Sequence, residues 1–121
     1  MNLSDMALVK DNHLALAGQP ALVRAVRAWR RRKIPVEIEV DSLELLSRVL
    51  PLGADIIMLD NFSVENMSEA VRRIDGRFET EASGGITEKT LRTFAETGVD
   101  YISMGALTHQ IKSLDMSLKA E

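Results

Sequence analysis

Polar residues and glycines follow each short apolar run that the sequence predicts as a strand. Glu39 and Asp60 could together act as acid and base, hold a metal through water or stabilise a developing cation. Lys10 suits an anionic substrate group. Taken singly, each of these residues is explained at least as well by a turn, a cap or a solvent-facing strand position. Their recurrence indicates a site, and the full set is Lys10-Asp11-Asn12-His13, Glu39-Val40-Asp41, Asp60-Asn61, Ser83-Gly84-Gly85 and Gly105-Ala106.

Two of these strand ends carry glycines that favour phosphate binding. Glycine lets the backbone approach a phosphate closely, and N–H groups at the start of a helix point towards it. Ser83-Gly84-Gly85 precedes a helix that Thr87 can cap, and Gly105-Ala106 precedes a segment from Leu107 that we expect to be helical. A lone Gly-Gly pair more often makes only a tight turn. Glycines after the last two strands of a β/α barrel lie at its usual phosphate site, so we expect phosphate binding here.

The two histidines leave their roles open. His13 is a candidate ligand contact, and His109 is a candidate neighbour of the phosphate loop. Either could equally be a cap or a packed polar residue, and neither is assigned as a general base.

Strand-like runs alternate along the chain with segments of helical period, which is the pattern of a parallel α/β fold. The runs cover residues 7–9, 36–40, 55–59, 78–82 and 101–104. We expect Asp41 with Glu44 to form a capping box, and Ser63 and Thr87 to cap the next two helices. The fold class we predict is α/β, as an incomplete, TIM-like parallel β/α barrel.

An internal sequence repeat indicates that the fold is built from repeated units, and it is compatible with both a barrel and an open sheet. Residues 53–60 resemble residues 98–105, each with a helix-ending glycine, a turn and a buried strand. Such a repeat suits a barrel, and an open doubly wound sheet would also give alternating units. Five strands are too few for an eight-unit barrel. Either the sheet is open or further units lie upstream.

The composition fits one soluble globular domain and no membrane span. The chain has 121 residues, of which 45% are hydrophobic and 27% charged, with no cysteine and a net charge of −3. We expect a cytoplasmic protein without a nucleic-acid partner. The basic run at 30–33, beside Trp29, could grip a phosphate backbone, but a solvated helix C-terminus is the favoured interpretation.

Five collinear blocks resemble quinolinate phosphoribosyltransferase, the carboxylating nicotinate-nucleotide pyrophosphorylase family. They cover essentially the whole chain and read KDNH at 10–13, VEIEVDSLE at 36–44, IMLDNF at 57–62, EASGGI at 81–86 and TGVDYISMGALTH at 97–109. The resemblance implies transfer of phosphoribose from 5-phosphoribosyl 1-pyrophosphate to quinolinate, with Mg²⁺ and with loss of CO₂. The product is nicotinate mononucleotide, in NAD biosynthesis.

The resemblance also implies residue roles. Lys10 matches the lysine that contacts the dicarboxylate substrate. Glu39 and Asp60 match the acidic pair near the ribose and the metal, which they would hold through water, and Asn61 is their companion beside the ribose. The loops that hold the ribose 5-phosphate correspond to Ser83, Gly84, Gly85 and Gly105, with His109 close by in the sequence.

By the same resemblance, residues 1–121 form part of the catalytic barrel, and the family's N-terminal α/β domain and first barrel segment are missing. Family members are dimers or dimer-based hexamers, so we expect a homo-oligomer in the full-length protein and little activity from this chain alone. The alternatives are a ModD-like paralogue of the same fold or a non-catalytic phosphate-binding barrel subunit. A generic aldolase-like barrel comes third.

Overall fold

Strands and helices alternate through most of the chain. The computed structural model describes residues 7–9, 19–105 and 107–111. Three of the predicted strands have the expected bounds, and two begin and end one residue later than expected. In chain order the elements are β1 (Ala7–Val9), α1 (Gln19–Arg31), β2 (Val36–Val40), α2 (Leu43–Val49), a 3₁₀ turn (Leu50–Leu52), β3 (Ile56–Asp60), α3 (Val64–Ile74), β4 (Glu79–Ser83), α4 (Glu88–Ala95), β5 (Tyr101–Met104) and β6 (Leu107–Gln110).

The helix starts depend on hydroxyl side chains. Ser63 caps α3 as predicted, because its Oγ accepts the Asn66 N–H at 3.2 Å. Before α4, the Thr90 hydroxyl accepts the Thr87 N–H at 3.0 Å, as in a capping box. The prediction of Asp41 as the cap of α2 is wrong. The helix starts one residue later than that box requires, so Ser42 takes the cap position and accepts the Leu45 N–H at 3.1 Å.

The sheet has the sequential order β1-β2-β3-β4-β5-β6. The strands from β1 to β5 pair in parallel, as predicted, with Glu39 opposite Met58 and Met58 opposite Glu81. Each crossover moves one strand further in the same direction, and right-handed crossovers then place the helices on one face. A doubly wound sheet would reverse its order at a switch point, so this arrangement is a segment of a barrel.

Two predictions are wrong at the last strand. The sheet is not wholly parallel, and the segment from Leu107 is a strand rather than a helix. β6 runs antiparallel to β5, with Met104 opposite Leu107. Gly105 has a left-handed φ of 60°, which lets the chain reverse within two residues. The backbone groups of 107–110 therefore pair with β5 rather than with one another.

One face of the sheet carries the core, and the other, which we call the inner face, has no helix from the described residues packed on it. The helix-covered face buries alternate residues, including Val36, Ile38, Val40, Ile57, Leu59, Ala82 and Ile102. On the inner face, polar and ionisable side chains alternate with a few apolar ones, and the strands of the described structure contain no Lys or Arg. Its members are Leu8, Glu37, Glu39, Ile56, Met58, Asp60, Glu79, Glu81, Ser83, Tyr101, Ser103, Thr108 and Gln110.

The Gly-x-Asp sequence that occurs at 53–55 and 98–100 forms hydrogen bonds to the neighbouring strand near its amino end. The N–H of Asp55 donates to the Val36 carbonyl at 2.8 Å, and its Oδ2 accepts the Val36 N–H at 2.7 Å. Asp100 does the same to Thr80, at 3.1 and 2.9 Å. The repeat thus stabilises strand pairing at the end of the sheet opposite the candidate site. No helix of the described ranges has the length and apolar content needed to cross a membrane.

Candidate active site

The carboxyl ends of β3 and β4 are joined by side chains as well as by the strand ladder. Asp60 and Ser83 are register partners, and the Ser83 hydroxyl donates to Asp60 Oδ1 at 3.2 Å. Just beyond them, the Asn61 N–H donates to the Ser83 carbonyl at 2.8 Å. Asn61 has a left-handed φ of 61°, a conformation that asparagine tolerates better than most residues. These bonds hold the Asp60 carboxylate at the edge of the sheet.

Gly84 lies so close to the β3 end that no side chain fits there. A Cβ on Gly84 would lie 2.9 Å from both Asn61 N and Asp60 Oδ1, and its φ is 86°. Gly85 also has a positive φ, of 71°, and lies near the Asn61 side chain. The glycines therefore let the two loops close onto each other. The second loop leads into α4, whose first N–H groups have no intrahelical acceptor and can bind an anion.

Glu39 lies on the same face, one strand away. It is half-buried and opposite Met58, and Asp60 follows Met58 by two residues on the inner face. Strand spacing and rise place the Glu39 and Asp60 Cα atoms about 8 Å apart. Both side chains therefore lie on the inner face, near the carboxyl ends of neighbouring strands.

Three further carboxylates of the inner face, Glu37, Glu79 and Glu81, were not predicted as site residues. Glu81 is 9% exposed and accepts the Ser103 hydroxyl at 2.6 Å. Burial, followed by the charges of Glu81 and Glu39, raises the pKa of Glu37 to about 6. The alternating glutamates of β2 and β4 are visible in the sequence. Their mutual approach is not, because it depends on the register of strands that are distant in the chain.

Of the remaining predicted residues, two belong to the described structure and two do not. Lys10 and His13 fall outside the described residues. Gly105 forms the exposed turn between β5 and β6, and its left-handed backbone leads into a strand rather than a helix start. His109 pairs with Ile102, on the side of the sheet away from the inner face. Within the described structure, neither Gly105 nor His109 makes a hydrogen bond to the Ser83 loop.

The described residues could supply only some of the ligands that a Mg²⁺ ion needs. Across 7–9, 19–105 and 107–111, no three His, Asp or Glu side chains are grouped as a protein-only metal site would need. Mg²⁺ in phosphate-binding sites keeps several waters and takes one or two carboxylates plus substrate phosphates. Glu39 and Asp60 suit that smaller role.

The sequential parallel strands, helices on one face, and polar carboxyl ends define a segment of a β/α barrel with a candidate phosphate-binding end. Residues 1–119 match the model of the quinolinate phosphoribosyl transferase C-terminal domain, and the chain belongs to that family.

Named relatives are similar to this chain in sequence and in structure. The chain is 45% identical to the nicotinate-nucleotide pyrophosphorylase [carboxylating] of Mycobacterium leprae, over 98% of this chain and 43% of the relative. It is 44% identical to the probable enzyme of that name from Methanocaldococcus jannaschii, over 96% of this chain and 44% of the relative. The crystal structure of NadC from Streptococcus pyogenes superposes with a TM-score of 0.75 at 44% identity, covering 89% of this chain and 38% of that one. The chain thus spans less than half the length of these relatives.

Proposed function

We propose that this chain supplies the catalytic barrel portion of a carboxylating nicotinate-nucleotide pyrophosphorylase, a phosphoribosyltransferase of NAD biosynthesis. The reaction would join quinolinate to 5-phosphoribosyl 1-pyrophosphate and release pyrophosphate and CO₂. The observation that carries the proposal is the closed contact between Asp60, Asn61 and Gly84, with Glu39 on the adjacent strand. That contact joins a carboxylate to a candidate phosphate loop at one edge of the sheet, where the family resemblance assigns the ribose and its 5-phosphate.

The reaction requires charge stabilisation at two points. Displacement of pyrophosphate from the anomeric carbon develops positive charge on the ribose, and the fixed carboxylates of Glu39 and Asp60 would stabilise it. The backbone N–H groups of Gly84 and Gly85 and the start of α4 would hold the 5-phosphate. Asn61 would lie beside the ribose, and Lys10 would contact a carboxylate of quinolinate. When bound, Mg²⁺ held by Glu39 and Asp60 through water would balance the negative charge of the leaving group.

Glu39→Gln tests the assigned charge stabilisation. The amide keeps the size of the side chain and removes its charge, so kcat should fall by about 10²- to 10³-fold with a much smaller change in KM. The variant is assayed for nicotinate mononucleotide formation in the full-length assembly. Glu96→Gln, an exposed carboxylate after α4, is the matched control and should leave kcat unchanged. An unchanged kcat in Glu39→Gln would refute the role.

The isolated chain tests the dependence on the remainder of the family's fold. Calorimetric titration with quinolinate, in the presence of 5-phosphoribosyl 1-pyrophosphate and Mg²⁺, should detect weak or no quinolinate binding to this chain, and quinolinate binding once the complementary N-terminal segment is added. Turnover by the purified 121-residue chain would contradict the proposal that the site is incomplete. Failure of quinolinate to bind after reassembly would instead favour the ModD-like paralogue.

The proposal extends to assembly and location. We infer a homo-oligomer, a dimer or a dimer-based hexamer, and a cytoplasmic location. Light scattering of the full-length protein measures the first and imaging of a tagged protein the second. Relatives from Arabidopsis thaliana and Nicotiana tabacum are named chloroplastic and mitochondrial.

A further inference from the structure

The end of α1 concentrates positive charge at the amino ends of the strands. Arg24, Arg27, Arg30 and Arg31 are the charged residues of this helix, which contains no acidic residue. Arg32 and Lys33 extend the run by two residues. Arg27 and Arg31 are four residues apart on the helix, a spacing at which like charges repel. Such an accumulation in a chain with a net charge of −3 calls for a physical reason.

Helix capping does not supply that reason. Cations near a helix C-terminus can bind its last carbonyl groups, but here the backbone already does so. The Ile34 N–H donates to the Trp29 carbonyl at 2.9 Å, and the Lys33 N–H donates to the Arg30 carbonyl at 3.0 Å. This pair of bonds is a Schellman motif, which leaves the arginine side chains without a capping role. Lys33 occupies its left-handed position with a φ of 59°, where glycine would be relaxed and lysine is strained.

Local ion pairing does not supply the reason either. At the end of α3, Arg72 and Arg73 both bind the Glu69 carboxylate. At the end of α1, Arg30 Nη1 lies 3.7 Å from Asp55 Oδ2, and that oxygen also accepts a backbone N–H. The exposed side chains of Arg27 and Arg31 have no hydrogen bond or ion pair with any residue of the described ranges. No acidic side chain of the described residues therefore pairs with Arg27 or Arg31 to offset the repulsion between them.

These cations line two adjoining cavities, which we call the basic groove. One has a volume of about 310 Å³ and is lined by Arg30, Lys33, Ile34, Pro35 and Asp55. The other has a volume of about 390 Å³ and is lined by Arg27, Arg30, Arg31 and Leu52. Arg30 borders both cavities. Volumes above roughly 300 Å³ accommodate a nucleotide-sized ligand as well as a single phosphate.

We propose that the basic groove binds an anion carrying two or more phosphoryl groups, an oligophosphate. Arginine forks match phosphate oxygens bidentately, and a ligand that bridges the groove would offset the repulsion between Arg27 and Arg31. A polynucleotide is disfavoured because Trp29, the aromatic residue of this region, packs against the core rather than offering a stacking surface.

The groove is a second site, separate from the proposed active site. Pro35 and Asp55 precede β2 and β3, whereas Asp60 and Ser83 end β3 and β4. A strand the length of β3 separates the two ends by roughly 13 Å. Oligophosphate binding in the groove is therefore independent of phosphoribosyl transfer at the other end of the sheet.

Calorimetric titration of the 121-residue chain with inorganic triphosphate, at physiological salt, tests the proposal. We expect saturable binding that weakens by roughly tenfold in a chain with both Arg27→Gln and Arg31→Gln. Both side chains are exposed, and circular dichroism would verify that the variant is folded. Arg92→Gln, an exposed arginine in the last turn of α4, is the control for lost charge and should bind as the unchanged chain does.

Further titrations distinguish a nucleotide from a simple oligophosphate as the ligand, and the basic groove from the proposed active site as the place where it binds. ATP binding as tightly as triphosphate would indicate recognition of the phosphates alone, and tighter ATP binding a nucleotide; both support the proposal. Ser83→Ala, at the proposed active site, should leave triphosphate binding unchanged. The proposal is overturned if triphosphate does not bind, if Ser83→Ala abolishes binding while the groove variant retains it, or if an RNA oligonucleotide binds more tightly than triphosphate and loses that binding in the groove variant.

Discussion

Replacement of Glu37 by glutamine should stabilise the chain at neutral and higher pH while leaving it unchanged in acid. Glu37 lies on the inner face, and its pKa is raised from 4.5 to about 6 by burial and then by Glu81 and Glu39. The folded state therefore binds the proton more tightly than the unfolded state does. The stabilising contribution of this protonation is complete below pH 4.5 and is lost as the pH rises through about 6.

The magnitude follows from the size of the pKa change. A rise from 4.5 to about 6, at about 1.36 kcal/mol for each pH unit, corresponds to about 2 kcal/mol. Glu37 is only half-buried, and screening by solvent reduces this to about 1 kcal/mol. Glutamine resembles the protonated acid in shape and hydrogen bonding, so the variant should avoid this cost at every pH.

Urea unfolding of both chains at about pH 4 and about pH 8 measures the effect. Glu37→Gln should raise the free energy of unfolding by about 1 kcal/mol at about pH 8 and change it little at about pH 4. Glu96→Gln, on an exposed surface, is the matched control and should show no such difference. Equal effects of Glu37→Gln at the two pH values would refute the argument from like-charge crowding on the inner face.

Three further substitutions test contacts by urea unfolding. Gly84→Ala places a Cβ 2.9 Å from the Asn61 backbone nitrogen at a φ of 86°, so the free energy of unfolding should fall by about 2 kcal/mol or more; a neutral result would contradict the tight approach. Ser42→Ala should cost about 1 kcal/mol and Asp41→Ala much less, and the reverse order would restore Asp41 as the cap. Asp100→Ala leaves the Thr80 N–H without its carboxylate acceptor and should cost about 1–3 kcal/mol, whereas Asp100→Asn, which keeps an acceptor oxygen, should cost less.

Features that depend on neighbouring residues were predictable. The apolar period separates strands from helices because burial repeats every two residues in one and about every 3.6 in the other. The same reasoning located the strand ends that carry Glu39, Asp60 and Ser83, and the caps at Ser63 and Thr87. The local sequence pattern was insufficient where two neighbouring residues could each cap the same helix. Asp41 and Ser42 both suit a cap, and in the structure Ser42 takes the cap position.

The sequence by itself determined the kinds and order of the elements from β1 to β5, and which residue types end these strands, because these features follow from periodicity and from local backbone preferences. Only the tertiary structure decided that β6 folds back on β5, that Gly84 closes onto Asp60 and Asn61, and that Glu37 and Glu81 share one face. The second and third of these depend on strand register or on loop packing between residues distant in the chain, whereas the first is a hairpin between neighbouring residues that the structure adopts instead of the expected helix. Burial and charge proximity arise there, and no local pattern encodes them.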